Sequence, residues 1–204
     1  MNHTRGRFIL FEGIDGAGKS TQCEMLYNFA LEKGLNCIKL SEPTGGEWGI
    51  KIRKMLSMEP PPPVEEQISM FIKDRIEDVL LNINPALESG KTIIMDRYFY
   101  SNAAYQGCAE MPPEEIIKRN MALNFPLPER VYFLDLDPEA AMDRIIKRSS
   151  SGKREIFEKV SFLKQVRENF HSIQDQRFMI LDGSMDPEEI FPLIIKDFIS
   201  LLKD

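Results

Sequence analysis

Little in this chain supports disulfide, metal-cluster or membrane chemistry. Three cysteines, Cys23, Cys37 and Cys108, are odd in number and form no C-x-x-C pair, which points to a reduced, cytoplasmic setting rather than a disulfide framework. Only two histidines occur, His3 near the terminus and His171 in a polar stretch, so imidazole has little place in acid–base or metal work. The apolar runs are strand-sized, too short to cross a bilayer. "FILF" is short and followed at once by Glu12, so the first residues do not read as a signal peptide. Positive charge is also scarce: 26 Lys and Arg against 32 Asp and Glu give a net charge of −6. A general nucleic-acid binder needs a basic face, so that class is excluded and any anionic ligand must be held by local cations.

What is present reads as one globular unit. The 204 residues, 43% hydrophobic and 28% charged, suffice for a single well-formed core and predict one domain over 1–204. Strand candidates at 7–12, 36–40, 91–95, 130–136 and 177–181 alternate with helix candidates at 19–33, 47–56, 64–88, 98–107, 113–123, 138–148, 155–173 and 187–202. That alternation predicts an α/β fold, a five-stranded parallel sheet covered by helices on both faces, with ligands at the carboxyl ends of the strands. Pro85 is expected to end or kink the 64–88 helix. "PPPP" at 60–63 reads as a stiff surface connection. The small, basic "RSSSGKRE" at 148–155 reads as a flexible loop or, in a phosphate-binding protein, a lid.

"FEGIDGAGKSTQ" at 11–22 fits G-x-x-x-x-G-K-[ST] with Gly13, Gly18, Lys19 and Ser20, between a strand-like run and an amphipathic segment. In such a loop, backbone N–H groups and the helix N-terminus surround the phosphates of a nucleotide. Lys19 reaches the β and γ oxygens, and the Ser20 hydroxyl binds Mg²⁺. Gly16 and Thr21 complete the expected ATP-binding set within the loop. Lys19 is expected at the solvent-facing loop rather than in the core.

A second site follows the third strand, "IIMDRYFYSNAAYQG" at 93–107. Asp96 ends an apolar strand and is expected opposite the loop as a Mg²⁺ carboxylate, with Arg97 meeting the same phosphates. Tyr98, Ser101, Asn102 and Tyr105 recur at helical spacing and make a face both aromatic and polar, suited to a nucleobase and its sugar. In "MFIKDRIED", Phe71 and Arg75 stand at i and i+4, able to stack on and hydrogen-bond one flat ring. Phe71 could equally belong to the core.

"FEGIDGAGKSTQ", "SEPTGGEWGIKIRKML", "FIKDRIE", "MDRYFYSNAAYQG" and "FLDLDPEAAMDR" resemble, in order and over nearly the whole chain, the segments of thymidylate kinases, P-loop enzymes that transfer the γ-phosphate of ATP to dTMP. The resemblance implies a three-layer α/β/α P-loop fold, ATP and dTMP as substrates, Mg²⁺ and a homodimer. It implies that Asp15 touches the acceptor 3′-hydroxyl, that Phe71 stacks on thymine and that Arg75 bonds its carbonyl. Asn102 and Gln106 are similar to further base contacts, and Tyr105 to the residue near the sugar 2′ position, with Ser101 beside them. Arg97 resembles the arginine between the two phosphates. Glu42 and Pro43 match an acidic–proline pair, Arg53 a phosphate-side arginine and Arg144 one that turns toward ATP. Where the family often reads EPGGT, here Thr44 precedes Gly45 and Gly46, and Trp48 follows. The loop has no arginine between Asp15 and Lys19, so a catalytic cation is expected from a lid near 148–158, with Arg154 first and Lys153 and Arg148 as alternatives. A deoxynucleoside kinase would instead need a base beside a 5′-hydroxyl, and a regulatory nucleotide binder would keep the pocket without turnover.

Overall fold

The computed structural model describes residues 6–148 and 153–203, with side chains for 6–147 and 159–203. Five apolar segments form β1 (Phe8–Glu12), β2 (Cys37–Ser41), β3 (Thr92–Asp96), β4 (Arg130–Asp135) and β5 (Phe178–Asp182). They pair in parallel in the order β2-β3-β1-β4-β5. Phe11 of β1 stands level with Asp96 of β3 on one side and Tyr132 of β4 on the other. All five residues of β1 are buried, as a central parallel strand covered on both faces requires. β5 lies at the edge and leaves Ile180 54% exposed.

The helices are α1 (Lys19–Glu32), α2 (Glu47–Met55), α3 (Val64–Asp78), α4 (Asn84–Glu88), α5 (Phe99–Gln106), α6 (Pro113–Ala122), α7 (Pro138–Arg148), α8 (Lys153–Ser172) and α9 (Pro187–Leu201). α1 packs on β1 to β3 and on α9, whereas α5 is surrounded by α3, α6 and α8; the result is a three-layer α/β fold. Local chemistry sets the starts. Asp186 and Glu189 form a reciprocal capping box with Pro187 at the first helical position of α9. Prolines precede the acidic first turns of α3 and α6, where carboxylates suit the positive end of the helix dipole. The proline run is thus largely exposed and ends in a helix N-terminus.

The 64–88 helix is neither ended nor sharply broken at Pro85. Val79–Ile83 forms a π-helical turn, after which α4 continues. Pro85 lacks the N–H that would bond back to residue 81 and its ring crowds that carbonyl; a widened turn just before it absorbs the misfit. The Glu42–Pro43 and Glu59–Pro60 peptides are cis.

The segment after β2 is tightly fixed. Thr44 N donates to Asp74 Oδ2 at 2.8 Å and Thr44 Oγ1 to Asp74 Oδ1 at 2.6 Å. Arg53 donates to the carbonyls of Thr44 and Pro43 at 2.7 and 2.6 Å. Gly49 of α2 presses on this turn so closely that a Cβ there would lie 1.9 Å from the Thr44 carbonyl oxygen. Backbone cannot swing aside as a side chain can, so Gly49→Ala should lower stability by about 2 kcal/mol or more. Urea denaturation measures this, and a wild-type midpoint would contradict the packing described.

Candidate active site

The phosphate-type loop leaves the carboxyl end of β1. Gly16 and Gly18 take φ of 83° and 99°, left-handed values that other residues adopt at a cost. A Cβ on Gly18 would meet nothing within 4 Å, so it is the backbone path, not neighbouring protein, that calls for glycine there. Lys19 departs from expectation: it is only 5% exposed, folded under the loop with Nζ donating to the Ile14 carbonyl at 2.9 Å. Its aliphatic stem packs while its charge points at the loop. Burial and the Arg97 guanidinium push its ammonium down to about 8, against the pull of Asp96, Asp15 and Glu12; an anion beside Nζ would favour the charged form again.

Ser20 Oγ donates to Asp96 Oδ2 at 2.5 Å, and among the described residues the buried Asp96 Oδ1 has no hydrogen-bond partner. A carboxylate and a hydroxyl thus stand together as hard oxygen donors with one lone-pair face unspent, which fits a divalent cation held jointly with a nucleotide.

Arg97 follows directly, at φ 70°, unusual for a residue with a side chain. Its N–H donates to the Phe11 carbonyl at 3.0 Å. Its guanidinium donates to Asp15 Oδ1 at 2.5 Å, Ser101 Oγ at 3.0 Å and the Tyr105 hydroxyl at 3.4 Å. The same hydroxyl accepts from Asp15 N at 2.8 Å. Burial alone would raise the Asp15 carboxyl, but the positive charges of Arg97 and Lys19 outweigh it and hold it below its ordinary value.

Behind Arg97 lies Glu12, which the sequence reading did not single out as a site residue. It is fully buried and accepts from Tyr98 N at 2.9 Å, Ser101 N at 3.2 Å and Ser101 Oγ at 2.5 Å. A strand carboxylate thereby takes up first-turn donors of α5, a cap supplied from another element. Burial raises its pKa to about 7, against Ser101 and the charge of Arg97. The signal was available: a carboxylate closing an apolar strand, as at Asp96.

Several cavities adjoin this centre, one of them along Gln67, Tyr105, Phe162 and Asn169, and two others gather most of the expected residues. The first is lined by Asp15, Glu42, Pro43, Phe71, Arg75, Arg97, Ser101, Asn102, Tyr105 and Gln106, with Leu56 and Tyr98. Every expected acceptor-side residue except Arg53 is therefore gathered in one wall; Arg53 instead grips the turn behind Pro43. Phe71 is half-buried and outside the core cluster, which resolves the alternative left open by its spacing. Arg75 is 1% exposed and ion-paired with Glu42, whose carboxyl burial raises to about 8 despite that partner. Asn102 donates to Gln106 Oε1 at 3.1 Å and keeps its own oxygen buried and unpartnered. Leu56 and the core-packed Tyr98 complete the wall; Leu56 carried no sequence signal beyond being apolar.

The second cavity is lined by Gly16, Ala17, Gly18, Thr21, Gln22, Arg144, Lys147 and the turn after β5, Gly183 to Ile190 in part. Gly16, Gly18, Thr21 and Arg144 were expected there, and the β5–α9 turn was not. Among the described residues Arg144 makes only long contacts, 3.4 Å to the Gly16 carbonyl and 3.5 Å to that of Ser184. Gly13 lies off this cavity, where a Cβ would meet the Leu134 carbonyl at 2.6 Å. The side chains of Arg148, Lys153 and Arg154 lie outside the described residues.

Because folding raises Glu12 from its ordinary 4.5 to about 7, the native state holds a proton that the unfolded chain releases. Its contribution is full below about pH 4.5 and is lost as pH rises through about 7. The stability of wild type relative to Glu12→Gln should therefore decline from pH 5 to pH 8 in parallel urea titrations, and a pH-independent difference would contradict this burial.

The match to the thymidylate kinase family spans residues 11–194. The chain is 39% identical over 192 residues to a thymidylate kinase of Leptospira borgpetersenii, covering 94% of this chain and 93% of that one. It is 37% identical over 204 residues to a thymidylate kinase of Desulfotalea psychrophila, covering 100% and 99%. This match over most of the chain, with relatives at this identity and coverage, shows that the chain belongs to the thymidylate kinase family.

Proposed function

We propose that the two cavities are the donor and acceptor halves of one site in which the γ-phosphate of ATP passes to dTMP, giving dTDP and ADP for dTTP synthesis. Asp15 and Gly16 are consecutive, yet Asp15 lines the first cavity and Gly16 the second. The loop is the wall the two share, so a phosphoryl group held on it has an acceptor within reach on the other side.

On the acceptor side, Phe71 stacks on thymine while Arg75, Asn102 and Gln106 meet its polar edge. Tyr105 packs by the sugar, Asp15 meets the 3′-hydroxyl, and Glu42, Pro43, Ser101 and Arg53 shape or brace the pocket. On the donor side, loop N–H groups, Lys19, Ser20 and Thr21 hold the phosphates, with Arg144 as a further ATP contact and Arg148 assigned to the same set from the sequence alone. Ser20 and Asp96 would hold Mg²⁺, which would supply positive charge to offset that of the nucleotide phosphates. An oxygen of the acceptor phosphate attacks the γ-phosphorus in line as the bond to the β-bridging oxygen breaks, and ADP leaves with that electron pair. Lys19 and Arg97 are placed to take up the charge that develops. Asp15 keeps Arg97 oriented between the cavities. We read 1–204 as a single kinase domain with a lid near 148–158, working as a cytoplasmic homodimer. Among the described residues, no helix is long and apolar enough to cross a membrane.

Phe71→Ala should weaken dTMP binding by roughly tenfold to a hundredfold, the worth of one stacking contact, and leave ATP binding nearly unchanged in separate titrations. Equal losses for both ligands would place Phe71 in a supporting role. An ADP-release assay over a panel of nucleosides and monophosphates should give turnover with dTMP above all others; turnover with nucleosides would assign a different acceptor. Arg154→Ala should lower kcat more than about tenfold with little change in dTMP affinity, the pattern of a contact made in the transition state. Normal turnover there, with loss in Arg148→Ala, would move the lid cation to Arg148.

A further inference from the structure

Arg75 is held in the acceptor wall by groups from three other parts of the chain. Glu42, just after β2, accepts from Nη2. The Tyr98 ring lies 5.1 Å from the guanidinium carbon. Asn120 of α6 accepts from Nη1 at 2.6 Å. Glu42 and Tyr98 line the cavity with Arg75, whereas Asn120 is fully buried and lies behind it.

The amide of Asn120 cannot turn round. Its Nδ2 donates to the Ile116 carbonyl one turn back on α6 at 2.8 Å, so its oxygen is the end that faces Arg75. A competing acceptor exists: Asp78, one helical turn beyond Arg75 on α3, is 2% exposed, and among the described residues its Oδ2 has no hydrogen-bond partner. Asn120 and Glu42 therefore decide which way the guanidinium faces.

We infer that Asn120 is a positioning residue for acceptor-base recognition, fixing the plane of the Arg75 guanidinium so that its remaining donors meet a ring carbonyl and thereby favouring thymine over cytosine. This rests on the reading of the first cavity as the dTMP site. A guanidinium offers five N–H donors and no acceptor. Thymine presents a carbonyl where cytosine presents an amino group, and an amino group set against a donor-only wall leaves both sides unpaired. Without the Asn120 oxygen, Nη1 loses its acceptor in a buried wall and the guanidinium turns toward Asp78, away from the base.

Steady-state kinetics of Asn120→Ala, Asn120→Leu and Asn120→Asp with dTMP and dCMP test this, with KM for ATP as the control. In Asn120→Ala and Asn120→Leu, KM for dTMP should rise about tenfold while kcat and KM for ATP change little, and the dTMP-over-dCMP ratio of kcat/KM should fall about tenfold. Asn120→Asp keeps an oxygen facing Arg75 and should hold that ratio within about threefold. Proportional losses for both acceptors, or a parallel rise in KM for ATP, would reduce Asn120 to a brace for α6 and overturn the inference. If the apolar variants do not fold, loss of the ratio in Asn120→Asp overturns it, and its retention supports it. A wild-type enzyme with no preference for dTMP over dCMP would overturn both this inference and the dTMP reading. Normal wild-type preference with unchanged apolar variants would overturn this inference alone.

Discussion

The ion pair between Arg97 and Asp15 ties the end of β3 to the loop that follows β1, and both side chains stand in the wall of the first cavity. The strand order makes the pairing possible: β1 lies between β3 and β4, so its loop emerges where neighbouring connections diverge, the usual place for a ligand in an open α/β sheet. Arg97 enters that crevice only because its backbone takes a left-handed φ of 70°. Such a conformation costs on the order of 1–3 kcal/mol and persists where surrounding contacts over-determine it. Here they do: a backbone bond to Phe11, side-chain bonds to Asp15 and Ser101, and beneath them Glu12, which holds both Ser101 and the first-turn N–H groups of α5.

Charge balance follows the same layout. Lys19 is a buried cation and Arg97 a partly buried one within a group of carboxylates, Glu12, Asp15 and Asp96, that compensates them. Cations kept charged in low-dielectric surroundings interact strongly with a phosphate. The chain as a whole is acidic, with a net charge of −6, so an anionic ligand here would be held by direct contact with Lys19 and Arg97 and not by the overall field.

The five strands were legible because parallel strands buried on both faces read as short apolar runs, and the helices because caps and periodicity agree. The acceptor wall was legible where a residue type is odd for a core: Arg75 beside Phe71, or Tyr105 and Asn102 on one helical face. Features that depend on a distant partner were not. Lys19 lies under its loop because the Ile14 carbonyl and nearby carboxylates offer its ammonium a place. Glu12 looked like the last residue of a strand, and its role appears only when β1 meets α5. Asn120 looks like any polar residue late in a helix until α6 is packed against Arg75. The π-helical turn before Pro85 is a similar case, since the proline was visible but the way the helix absorbs it depends on packing along α3 and α4.

A double-mutant cycle on Asp15→Asn and Arg97→Lys, read as kcat/KM for dTMP, tests most directly whether these residues act as one unit across the shared wall. If Asp15 works chiefly by holding Arg97 between the cavities, each single variant loses most of the activity and the double variant is little worse than the poorer single one. Losses that add in full would mean that the two side chains act independently, and that the ion pair is not what organises the site.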